Sequence, residues 1–112
     1  DEDSADTIIS NSLLHHLDFP EKGLATAVRL VKPGGRIFIR DLARPTQESE
    51  IEQLVAQYSG QESLQAQQLF RQSFHASLTI EEITTMCESL GISGEHVQMT
   101  SDRHWTINWI KP

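Results

Sequence analysis

Apolar positions along the chain switch between a period of two and a period near 3.6, and each switch marks an element. Residues 6–12 (DTIISNS) form a short run, β-branched at Thr7, Ile8 and Ile9 and bounded by polar residues, which suits a strand buried on both faces. Pro20 then opens a helix, with Asp18 as its expected cap and Leu24, Val28 and Val31 at i, i+4 and i+7. The helix should stop at Lys32, Pro33, Gly34 and Gly35, and residues 36–41 (RIFIRD) read as a second strand. Strand, helix and strand joined over more than a dozen residues make a right-handed βαβ unit with parallel strands. The expected class is α/β.

Two weaker helical patterns follow Pro45, one through Ile51, Leu54, Val55 and Tyr58, the next through Ala66, Leu69, Phe70 and Phe74. Glutamines at 57, 61, 65, 67, 68 and 72 suggest their solvated outer face. Thr79 and Glu82 form a capping box, Leu78 is placed to staple to Ile83, and Gly91 is placed to end the helix. The stripe Ile83, Met86, Cys87 and Leu90 lies between them. Two alternating segments close the pattern, Val97 with Met99 and Trp105 with Ile107 and Trp109. The polar link at residues 101–103 makes them an antiparallel hairpin.

Composition narrows the function classes. The chain has 112 residues, 38% of them apolar, which as a first prior suggests one small domain with a modest core. Sixteen acidic against nine basic residues give a net charge of −7, which argues against a nucleic-acid or anionic-membrane surface. A lone cysteine, Cys87, asks for no oxidising compartment, so a cytoplasmic setting is expected. No apolar run approaches the ~18 residues of a membrane span.

In open α/β sheets, ligands bind beyond the carboxyl ends of the parallel strands. Two such places qualify here, residues 10–16 (SNSLLHH) and residues 41–44 (DLAR), and polar or ionisable side chains concentrate at both. Tyr58, Phe70 and Phe74 in the segment between are expected either as a lid or as helix core. Trp105 and Trp109 share one strand face and are expected in the core.

The run of residues 6–45, with an aspartate leading a strand, then LLHHL at residues 13–17 and KPGG at residues 32–35, resembles the class I S-adenosylmethionine-dependent methyltransferases, especially those of ubiquinone and menaquinone biosynthesis. The helix SLTIEEITTMCESLGI and the two-tryptophan hairpin are similar to the family's last helix and final strands. The resemblance implies a Rossmann-like sheet in the order third, second, first, fourth, fifth, seventh, sixth, of which this chain would hold the last four. It also implies S-adenosylmethionine as cofactor and a small-molecule methyl acceptor. The family's glycine-rich cofactor loop has no counterpart in the sequence, so the resemblance makes this chain a carboxyl-terminal half that begins abruptly before the fourth strand. Such a fragment is expected to be inactive in isolation. A non-catalytic binding or assembly module derived from the same fold is the competing expectation.

On this reading residues 1–45 form the βαβ unit with the cofactor and acceptor loops, residues 46–74 a helical insertion or lid, and residues 75–112 the last helix and hairpin. Ser10 and Asn11 are expected on the cofactor side, against the alternative of a strand-end cap. His16 is the catalytic candidate, and Leu13, His15, Asp41 and Arg44 are candidates for the acceptor. For each histidine, packing against the next helix is the alternative, since neighbours in a turn point in different directions. For Arg44 the alternative is a solvated charge, the commoner fate of such a residue. Two adjacent histidines without further ligands are poor metal spacing, so no metal is expected. The strand at residues 7–12 would have one open edge, through which the chain is expected to self-associate or to pair with the missing amino-terminal half.

Overall fold

The computed structural model describes residues 3–12 and 14–112, without the His15 side chain. Its elements are β1 (Ala5–Asn11), a 3-10 turn (Leu14–His16), α1 (Pro20–Leu30), β2 (Val31–Leu42), α2 (Glu48–Ser59), α3 (Leu64–Ala76), α4 (Ile80–Ser89), a second 3-10 turn (Gly94–His96), β3 (Val97–Met99) and β4 (His104–Ile110). The four strands make one mixed sheet in the order β1-β2-β4-β3, with β1 and β2 parallel and the other two pairs antiparallel. That is the order implied for the fourth, fifth, seventh and sixth strands of the resembled family. The α/β class stands.

One face of the sheet carries the core. Ile37 and Ile39 of β2 and Trp105, Ile107 and Trp109 of β4 pack there with Leu24 and Ala27 of α1 and Ile83 and Cys87 of α4. Trp105 satisfies its indole by donating to the Leu78 carbonyl at 3.1 Å. The other face is largely bare: Arg36, Phe38 and Asn108 are exposed across it. This corrects the expectation that β1 is buried on both faces. As an edge strand over a one-sided core it hides Ile8 and Ser10 only in part and leaves Ile9 73% exposed.

Two boundaries also differ. Asp18 does not cap α1, whose N-cap is Phe19 with no side-chain bond; Pro20, whose missing N–H needs no partner, starts the helix unaided. The segment KPGG does not separate helix from strand but is absorbed into β2, where a bulge sets Thr7 opposite Arg36 while Ala5 faces Val31. The backbone packs so closely there that a Cβ on Gly35 would lie 2.6 Å from the Asp6 carbonyl oxygen. Lys111 pins the bulge: its backbone bonds Gly34 and Gly35, and its Nζ donates to Asp3, Val28 and Val31, each at 2.9 Å.

The α2–α3 hairpin has its own small core of Leu42, Ile51, Leu54, Val55 and Phe74, tied across by an Arg71–Glu52 fork at 2.6 and 2.8 Å. Leu42 is the last residue of β2, so this core seats the hairpin over the carboxyl end of the parallel strands.

Helix α4 begins with the expected capping box. Thr79 Oγ1 accepts from the Glu82 N–H at 3.1 Å and the Glu82 carboxylate accepts from the Thr79 N–H at 2.8 Å. It ends at Gly91, where φ of +86° favours glycine. Those backbone bonds, with Arg44 beside it, hold the Glu82 carboxyl below the usual glutamate range. A depressed folded pKa stabilises above the unfolded value and loses that contribution as pH falls through the folded one. Glu82 is half exposed, so the effect is modest, under about 1 kcal/mol. We expect the urea midpoint to fall less steeply between about pH 5 and pH 3 in Glu82→Gln than in the parent; parallel acid limbs would contradict this.

Candidate functional site

The carboxyl ends of β1 and β2 meet the α2–α3 hairpin and the β3–β4 turn around a cleft of about 470 Å³, lined by Ser12, Leu42, Tyr58, Ser59, Glu62, Phe70, Arg103 and His104. Each wall has a local cause. Ser12 follows β1 with a φ of 59°, a left-handed conformation costing a non-glycine residue about 1–3 kcal/mol, and its N–H donates to the Arg40 carbonyl at 2.8 Å. The turn before β4 is fixed by Tyr58: its hydroxyl donates to Asp102, and the Arg103 guanidinium sits 3.8 Å from its ring centroid. The hydrogen bond to Asp102 raises the Tyr58 pKa, and the same bond lowers that of Asp102. Phe70 packs against Phe74, which is wholly buried, with ring centroids 4.7 Å apart and the planes tilted by 48°. Of the three aromatic lid candidates, Tyr58 and Phe70 therefore line the cleft while Phe74 holds the hairpin together.

The candidates from sequence do not converge on one point. Ser10 and Asn11 occupy the end of β1 on opposite faces. Asn11 is exposed, with its Oδ1 accepting from Ser12 Oγ at 3.3 Å. Ser10 Oγ is buried and has no hydrogen-bond partner among the described residues. His16 is exposed in the turn Leu14–His16, which packs against α3. Leu13 and the His15 side chain lie outside the described residues. Asp41 is fully buried on the core face, and one carboxylate oxygen accepts from the Leu42 N–H at 2.8 Å.

Arg44 lines a separate cavity of about 380 Å³ on the other side of α2, with Pro45, Leu54, Ile80 and Met99. Its guanidinium donates to the Ser77 carbonyl at 3.1 Å and to Glu82 at 2.6 Å, which braces the start of α4 against the end of β2.

His104 was missed by the sequence reading. It is buried at the first position of β4, opposite Leu42, and burial together with Arg40 and Arg103 lowers its pKa below the ordinary histidine value. The only advance signal was a histidine flanked by Arg103 and Trp105 at a strand start. Cys87, by contrast, is inert, its thiol pushed up to about 12 by burial and Glu88. Among the described residues no cluster of three or more His, Cys, Asp or Glu is set to hold a metal, and no helix is long and apolar enough to cross a membrane.

Residues 1–39, about a third of the chain, match the family model of a methyltransferase domain. No curated protein matches the chain. Among solved structures, the chain is similar to an arsenic(III) S-adenosylmethionine methyltransferase from Chlamydomonas reinhardtii, with a TM-score of 0.58 and 16% identity. The similarity covers 96% of this chain and 37% of that one, so the chain spans well under half the length of the protein it matches. The sheet is thus of the kind found in a methyltransferase, and its opening βαβ segment matches a methyltransferase domain.

Proposed function

We propose that this chain is the carboxyl-side part of an S-adenosylmethionine-dependent methyltransferase domain acting on a small-molecule acceptor. One coincidence carries the reading: the segment matched to a methyltransferase domain contains β1, the first 3-10 turn, α1 and most of β2, whose carboxyl edge opens the cleft. The closer resemblance to the ubiquinone and menaquinone enzymes supports a small organic acceptor. The acceptor named for the structural relative is not carried over. Arsenic(III) favours thiolates, and the one cysteine here is buried with its thiol at about 12.

The end of β1 fits the cofactor. Ser10 Oγ is a buried hydroxyl lacking a partner among the described residues, and the Asn11 amide, on the opposite face of the strand end, is open to solvent. A buried hydroxyl without a partner costs free energy that a bound polar group restores. Ser10 and Asn11 would hold the amino-acid portion of the cofactor, whose sulfonium supplies an already activated methyl group. Alignment of the acceptor and exclusion of water are then the protein's main tasks. Phe70, Leu42 and the Tyr58 ring supply apolar walls for both.

Titration calorimetry with S-adenosylmethionine tests this. A dissociation constant of about 1 mM, roughly −4 kcal/mol, is expected for the chain, weakened further in Asn11→Ala. No heat at several times that concentration would leave the binding or assembly module as the better description.

We also place this chain's partner along the open edge of β1, either a second copy or the amino-side half of the domain. The exposed Ile9 and the unpaired edge support this. Sedimentation should show concentration-dependent association that Ile9→Lys abolishes; a monomer at every concentration removes the second copy as partner.

A further inference from the structure

A buried imidazole has to account for both of its nitrogens. His104 is only 9% exposed, and its Nδ1 lies 2.8 Å from Ser101 Oγ and 3.3 Å from Arg40 Nη2. A guanidinium has no acceptor atom, so the Arg40 contact is a donation to Nδ1, and a nitrogen that accepts carries no proton. The neutral ring therefore holds its hydrogen on Nε2. Among the described residues no group accepts from that Nε2–H, which is not closed off from solvent. The charges around the ring keep it neutral: burial, Arg40 and Arg103 oppose protonation against the weaker pull of Asp41 and Asp102. Tyr58 and Glu62 are the other titratable groups on the cleft wall, and the Tyr58 hydroxyl is engaged by Asp102.

We propose that His104 is the positioning residue for the methyl acceptor, donating Nε2–H to a carbonyl or carboxylate oxygen of a small molecule whose apolar ring rests on Phe70 and Leu42. The proposal rests on the acceptor reading above and narrows it to oxygen-bearing, neutral or anionic compounds. A ring already protonated at Nε2 takes no proton there, so His104 orients its ligand and does not deprotonate it. The bonded oxygen is not the one methylated, because accepting a hydrogen bond lowers nucleophilicity. An N–H donor meets the lone pair of an acceptor oxygen, which an ammonium lacks, so the site selects carboxylate over ammonium.

Long-range ¹H–¹⁵N NMR of the histidines, followed by titration with sodium benzoate and with benzylamine, tests the assignment. His104 is expected as the Nε2–H tautomer near neutral pH, with benzoate shifting that nitrogen and benzylamine leaving it unmoved. His104→Phe should weaken benzoate about tenfold, whereas His104→Gln, which keeps an N–H donor, should largely restore it. An Nδ1–H tautomer, or benzoate affinity unchanged in His104→Phe, would overturn the proposal. If His104→Phe fails to fold, the parent tautomer and the benzoate shift decide without any variant. S-adenosylmethionine binding without benzoate binding sinks this assignment alone. Benzoate at His104 with no S-adenosylmethionine binding sinks the methyltransferase reading and leaves an anion-binding cleft.

Discussion

Trp105→Ala is expected to cost about 3–5 kcal/mol of unfolding free energy, read from urea denaturation. The indole is 1% exposed at the centre of the sheet's core face, and it carries a hydrogen bond to the Leu78 carbonyl in the segment leading into α4. Its removal leaves a large cavity between sheet and helix, and the Leu78 carbonyl keeps only its bond from the Arg44 N–H. Domains of this size have a total stability of about 5–15 kcal/mol, so the variant should be marginal at room temperature. A loss below about 1 kcal/mol would mean that Trp105 does not tie the sheet to α4.

Phe74→Ala should cost a similar amount on a large-aromatic scale, about 3–5 kcal/mol, but locally. Phe74 is 0% exposed in the separate core of the α2–α3 hairpin, away from the sheet's main cluster. Hydrogen exchange should show the amides of α2 and α3 losing most of their protection while β2 and β4 keep theirs. Uniform loss throughout would show one cooperative unit instead of two. The functional effect follows from position: Tyr58, Ser59 and Phe70 reach the cleft only because the hairpin is seated on Leu42. The variant should lose benzoate binding while remaining largely folded.

Features that local chemistry writes into adjacent residues were legible in the sequence. The capping box of Thr79 and Glu82, the turn at Gly91, the two helical stripes after Pro45 and the alternation around Trp105 each lie within one short window, and each element formed as expected. The strand order came from the resemblance carried by LLHHL and KPGG. What stayed hidden depends on pairing between distant residues. Arg44 meets Glu82 across 38 positions, and His104 reaches the cleft because the register of β4 on β2 puts it opposite Leu42. No window of sequence contains that register. The exposure of Ile9 was hidden for a related reason: the edge position of its strand was expected, but the composition of a strand does not say whether distant elements cover both of its faces.

The placement of β4 between β2 and β3 also governs how the chain reaches this state. The contact of Arg36 with Asn108 spans 72 positions, so the central strand pair closes only after a long loop has been drawn together. Helices α2, α3 and α4 need no such closure and can form earlier from neighbouring residues. A sheet whose middle depends on so distant a pairing folds slowly compared with a helical bundle of equal size. Until β4 arrives, β2 has both Ile37 and Ile39 without their main partners and one whole side unpaired. The slow step and the interval of greatest aggregation hazard are therefore the same event, the insertion of β4 against β2.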